Sequence, residues 1–362
     1  MNMKTLTTLA VICLLALSCA TAPPISSSSS LVLPLWAGLT PGEHTVGFRT
    51  SRLGTEPHPL QISVWYPSDR TGTPLKYSEY LLLNLTEARP DKPTAEEKAK
   101  AIAAAQNFLT TNGVSATAAQ SLFNAPMYAR RDARPLPSRR FPLVFIVQGN
   151  GQSASGQAVL AEFLASHGYV VATIPSITRI TGPMTSDSEV GARAEAETVD
   201  IDRAVSALGE WPNVVNTPIT LVGHSFGARS ALFYAMHHPT RGLVSLEGGI
   251  GLAAGQKAML DSKMLDLGAQ MPPILHFYEL NDARVVPDFR LLRSLHTPDL
   301  EIVRMNDLRH AHFSSDGFAA AMLPEMATVT KAGPDFKKDV LATAQQSLQF
   351  IDKQWANHRP NP

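Results

Sequence analysis

Past residue 19 the sequence has no cysteine; its two, Cys13 and Cys19, both lie near the start. The rest of the chain therefore offers no disulfide, no thiolate metal site and no cysteine nucleophile. An excess of charge is also missing, with 31 acidic and 31 basic residues among 362. Without a net field to draw it to polyanions, the chain is not expected to bind nucleic acid. There is no internal repeat, and the uncharged apolar run Leu6 to Leu17 is too short to cross a bilayer. A hydrophobic fraction of 44% does support a sizeable core.

That short run has another use. Lys4 precedes it and the small residues Ser18, Ala20 and Ala22 follow, the layout of a secretory signal peptide. Leu15-Ala-Leu-Ser-Cys19 also resembles the lipobox of bacterial lipoproteins, in which the cysteine is lipidated and becomes the mature N-terminus. Lipidation at Cys19 and ordinary cleavage near Ala20 both stand, and both place the chain outside the cytoplasm as a membrane-anchored lipoprotein or a secreted or periplasmic protein. The Pro- and Ser-rich stretch to Ser30 suits a tether. Residues 1–30 are thus read as signal and tether, and 31–362 as one domain.

Within that domain, Gly42 to Thr50 and Leu60 to Pro67 alternate as two antiparallel strands. From about 77 to 134 the composition turns alanine-rich and helical, with Thr94-Ala-Glu-Glu97 as a capping box, and reads as an inserted lid. Short apolar runs then alternate with helical stretches: Leu143 to Val147, Tyr169 to Ile174, Ile219 to Val222, Leu243 to Leu246, Ile274 to Tyr278 and Leu300 to Met305. The helical candidates include Ser155 to His167, Glu189 to Leu208, Ala228 to His238 and Asp335 to Trp355. This order predicts an α/β fold, a mostly parallel sheet with helices on both faces.

One stretch carries chemistry. Leu221-Val-Gly-His-Ser-Phe-Gly227 runs an apolar strand into Gly-x-Ser-x-Gly and then into a helix, a context that projects the Ser225 hydroxyl at the carboxyl end of the sheet. A serine hydroxyl needs a base, and the base needs a carboxylate to fix its tautomer. For such an elbow the chain order is Ser, acid, His, so the base should follow the last strand. His310 and His312 lie there, and His310, a short turn past the strand, is preferred, with His312 as the alternative base. The His-x-His spacing has no other ligand cluster beside it, so neither a metal nor a cofactor is expected.

Two carboxylates compete for the acid. Glu247 ends the strand after the nucleophile helix, and Asp282 follows the next strand. For the oxyanion, the backbone N–H of Phe226 is one expected donor and that of Asn150, in the loop Gln148-Gly-Asn-Gly-Gln152, is the other.

Five pieces carry a resemblance: Ser-Val-Trp-Tyr-Pro67, the loop Gln148 to Gly151, Gly-Tyr-Val-Val171, Gly-His-Ser-Phe-Gly227 and His310-Ala-His-Phe313. The chain resembles the serine α/β-hydrolases, and within them the secreted group similar to platelet-activating-factor acetylhydrolases and dienelactone-hydrolase-like esterases. The resemblance implies an α/β-hydrolase fold and a carboxylic ester hydrolase working through an acyl-enzyme. In the acetylhydrolases the acid follows the strand after the nucleophile helix, which places Glu247 ahead of Asp282. The family usually reads His-Gly where this chain has Gln148-Gly149, and dienelactone hydrolases use a cysteine nucleophile, so a dienelactone substrate is not implied. The partner is then a small-molecule or lipid ester, with membrane attachment only through Cys19. Two alternatives stand beside this reading: a lipase or phospholipase A2-like acylhydrolase, and a hydrolase-fold binding protein without activity.

Overall fold

A computed structural model describes residues 33–54, 59–87, 89, 91–137, 139–176, 186–215, 218–283 and 285–356. The signal segment and Cys19 lie outside them.

The chain opens with the antiparallel pair β1 (Thr45–Leu53) and β2 (Leu60–Ser68), in register from Thr45 opposite Ser68 to Leu53 opposite Leu60. After β3 (Thr73–Lys76) come four helices: α1 (Tyr77–Leu81), α2 (Leu83–Glu87), α3 (Ala95–Thr111) and α4 (Ala116–Asn124). The expected capping box starts α3: Glu97 N–H donates to Thr94 Oγ1 at 3.2 Å, and Thr94 N–H donates to the Glu97 carboxylate at 2.7 Å. This region is not wholly helical. Its end is β4 (Pro126–Arg131), where Met127 and Ala129 alternate inward as in a strand with one buried face, and it pairs in parallel with β1.

From there the strands and helices alternate: β5 (Leu143–Val147), α5 (Ala158–Ser166), β6 (Val170–Ile174), α6 (Asp187–Gly209), β7 (Ile219–His224), α7 (Gly227–His237) and β8 (Thr240–Leu246). They continue with α8 (Gln256–Leu260), β9 (Ile274–Tyr278), α9 (Arg290–Ser294), β10 (Leu300–Arg304), α10 (Ser315–Met322), α11 (Pro324–Val329) and α12 (Phe336–Ala356). The sheet order is β10-β9-β8-β7-β5-β6-β2-β1-β4-β3, and every pairing from β6 to β10 is parallel. Strand alternation splits the core between the two faces. Val144 and Ile146 point to one, with α5, α10 and α12, while Leu143, Phe145 and Val147 point to the other, with α6 and α7.

The chain leaves β5 for β6 on one side and returns to β7 on the other. This reversal opens a crevice beyond the carboxyl ends of β5 and β7, where ligands bind in open α/β sheets. Among the described residues no helix is long and apolar enough to cross a membrane.

Candidate active site

Ser225 follows β7 immediately and has a left-handed backbone, φ 50°. The flanking glycines make this turn feasible by their lack of bulk: a Cβ on Gly227 would lie 2.4 Å from the carbonyl oxygens of Val147 and Gln148, and one on Gly223 would lie 2.5 Å from Ala228 Cα. Backbone bonds pin the elbow to the neighbouring strand. Ser225 N–H donates to Leu246 O at 3.1 Å, and Gly249 N–H donates to Ser225 O at 2.6 Å.

His310 begins a short helical turn, His310–Phe313, beyond β10. Its Nε2 lies 2.8 Å from Ser225 Oγ. His312 goes elsewhere: buried, with Nδ1 accepting the Arg309 N–H at 3.0 Å and its ring tilted against Phe336. Burial, then the Arg309 charge, pushes its pKa down to about 4, so it is neutral at ordinary pH. It shapes the loop and does not face the serine.

Both candidate carboxylates are buried beside a third, Glu279, which the sequence reading did not single out. The Glu279 carboxylate accepts the backbone N–H of Asp282 at 2.9 Å and also that of Asn281, closing the turn after β9. Asn281 in turn donates from Nδ2 to Asn306 O at 2.6 Å and Leu308 O at 2.8 Å. The loop of Asp282 is thereby tied to the loop that leads into His310. Glu247 is placed differently. Its Oε1 lies 3.4 Å from Glu279 N, its Oε2 makes no hydrogen bond among the described residues, and it too has positive φ, 43°. Burial first, and then the charges of Glu279 and Asp282, push its pKa up to about 9. At neutral pH Glu247 holds a proton.

In the loop after β5, Gln148 is buried and donates from Nε2 to Thr173 Oγ1 at 3.0 Å. Gly149 N–H is taken by Gln152 Oε1 at 2.9 Å. Asn150 is exposed, and Arg193 donates to its Oδ1 at 3.3 Å. Among the described residues no hydrogen bond uses the backbone N–H of Asn150 or of Phe226. No group of three or more His, Cys, Asp and Glu side chains among the described residues is arranged to hold a metal ion.

No protein-family model matches the chain, and neither does any curated protein. Solved structures do. A ferulic acid esterase from Streptomyces cinnamoneus is similar with a TM-score of 0.59 and 19% identity, over 90% of this chain and 94% of that one. A dienelactone hydrolase from Anabaena variabilis is similar at 12% identity, covering 86% of this chain and 99% of that one, but its TM-score of 0.45 adds no weight. With the strand order, the elbow at Ser225 and the first of these likenesses together, the chain has the α/β-hydrolase fold.

Proposed function

We propose that the protein is an exported serine hydrolase of carboxylic esters that works through an acyl-enzyme. The observation that carries this reading is the 2.8 Å approach of Ser225 Oγ to His310 Nε2 at the mouth of the sheet's crevice. The N-terminal layout supports export.

In this mechanism Ser225 Oγ attacks the ester carbonyl as His310 Nε2 takes the hydroxyl proton. The carbonyl oxygen becomes an oxyanion, held by the N–H groups of Phe226 and Asn150; one such donor is worth about 3 kcal/mol of barrier. The intermediate collapses, the C–O bond to the alcohol breaks, and His310 returns the proton to the leaving oxygen. Water then attacks the acyl-enzyme with His310 again as base, releasing the acid and restoring Ser225.

The acid that orients His310 must be an anion while the imidazole is charged. Glu247, protonated with a pKa near 9, does not meet that condition, whereas the loop of Asp282 is stitched to the His310 loop through Asn281. We therefore assign the orienting charge to Asp282, reversing the order that the sequence resemblance suggests, with Glu247 as a neutral neighbour.

Replacing Ser225 or His310 by Ala should lower hydrolysis of a nitrophenyl ester by about a thousandfold or more, with an unchanged circular dichroism spectrum. Full activity of the Ser225→Ala protein overturns the assignment. A fluorophosphonate that labels the wild type at Ser225 also excludes an inactive binding protein.

A further inference from the structure

Gln152 and His224 lie between the two halves of the site without belonging to either. Gln152 Oε1 accepts the Gly149 N–H at 2.9 Å, which identifies this atom as the carbonyl oxygen, since an amide NH2 could not accept. His224 Nδ1 lies 2.8 Å from that same oxygen. An oxygen that only accepts requires a donor opposite, so His224 carries its proton on Nδ1. On its other side the His224 ring stacks on His310, with centroids 5.4 Å apart and planes 27° from parallel. One unbroken path therefore runs from the backbone beside Asn150, through Gln152 and His224, to the imidazole that faces Ser225. The fit is close: a Cβ on Gly149 would lie 2.7 Å from Gln152 Oε1 and 2.8 Å from His224 Nδ1.

We infer that Gln152 and His224 form a positioning bracket that sets the oxyanion loop and the base at a fixed separation. The inference rests on the ester-hydrolase reading above. Burial, and then the His310 charge, pushes the His224 pKa down to about 3. The ring beside His310 thus stays neutral while His310 gains its proton, so it places no second positive charge against that imidazole. Neither residue touches the ester. Their effect is on the geometry of the groups that do, and in a preorganised site small displacements of such groups are costly.

The test begins with fluorophosphonate labelling of the wild type, followed by kcat and KM on a nitrophenyl ester for Gln152→Leu, Gln152→Glu and His224→Phe. Gln152→Leu removes the shared acceptor and should lower kcat by about 10- to 100-fold with KM within about threefold. Gln152→Glu restores an oxygen that accepts both N–H groups and should bring kcat back to within about fivefold of wild type. His224→Phe keeps the stacked ring but has no Nδ1–H, and should lower kcat about fivefold or more. This third variant decides the matter if Gln152→Leu does not fold. A Gln152→Leu or His224→Phe enzyme with wild-type kcat overturns the bracket, and so does a Gln152→Glu enzyme as impaired as Gln152→Leu. If the wild type is not labelled at all, the ester-hydrolase reading fails and the bracket with it; labelling with unaffected variants removes the bracket alone.

Discussion

Ser225 and Glu247 stand one residue beyond the registered pair His224–Leu246, at the ends of adjacent parallel strands, and both have left-handed backbone, with φ of 50° and 43°. A non-glycine residue in that region costs on the order of 1–3 kcal/mol, and here two such residues lie side by side. The strain at Ser225 is what aims its hydroxyl out of the sheet. At Glu247 the same turn brings a carboxyl under Glu279 N–H.

The strain can be read from stability. Ser225→Gly should be more stable than Ser225→Ala by about 1 kcal/mol, because both lose the hydroxyl but only glycine enters the left-handed region freely. Urea midpoints of the two inactive proteins measure the difference. Equal midpoints would mean that the elbow stores no strain at this residue.

The assignment of the orienting charge predicts a contrast between two conservative variants. Glu247→Gln mimics the protonated carboxyl and should keep activity at pH 7 within about threefold, whereas Asp282→Asn should lose about a hundredfold or more. The pH dependence has a definite sign. Glu247 ionises near pH 4.5 when unfolded but near 9 when folded, so between those values the native state binds the extra proton and stability falls as pH rises. Glu247→Gln removes that loss, and the variant should gain on the wild type steadily from pH 5 to pH 9 in thermal melts. A constant difference across that range would mean an ordinary carboxyl at Glu247.

Most of the sheet was legible from sequence because parallel strands buried on both faces must be short apolar runs, as Leu143–Val147 and Ile274–Tyr278 are. The elbow was legible because its glycines have a steric cause that no other residue satisfies. Strand β4 was not: Pro-Met-Tyr-Ala-Arg-Arg follows four short or alanine-rich helices, and only pairing with β1 makes its weak alternation a strand. Choosing between the acids was beyond the sequence for a physical reason. The protonation of Glu247 follows from its burial and from the nearby charges of Glu279 and Asp282, which depend on how β8 and β9 end in space. Gln152 left a faint trace, since a polar side chain three residues past Gly149 is at the spacing that a turn closes. His310 was legible as the base because it follows β10 by a short turn, and the turn after it points the two rings in different directions.

A lone acidic residue in Ala-Val-Leu-Ala-Glu-Phe-Leu-Ala-Ser, the fully buried helix α5, has a structural purpose. Glu162 accepts four hydrogen bonds: from Tyr80 OH at 2.7 Å and Ala129 N at 3.0 Å on one oxygen, and from Tyr128 N at 2.9 Å and Trp36 Nε1 at 3.2 Å on the other. These donors come from the segment before β1, from α1 and from β4, so one carboxylate gathers three separate stretches of chain against α5. Glu162→Gln replaces one acceptor oxygen by an NH2 group, which turns a two-donor contact into a donor–donor clash in a dry site. The expected cost is about 3 kcal/mol of unfolding free energy, from two buried donors left without an acceptor. Ser225 and His310 lie on other elements, so kcat per folded molecule should be unchanged. Chemical denaturation together with active-site titration separates the two effects: a stable Glu162→Gln protein would deny the hub, and a lowered kcat in the folded fraction would mean that α5 reaches the site after all.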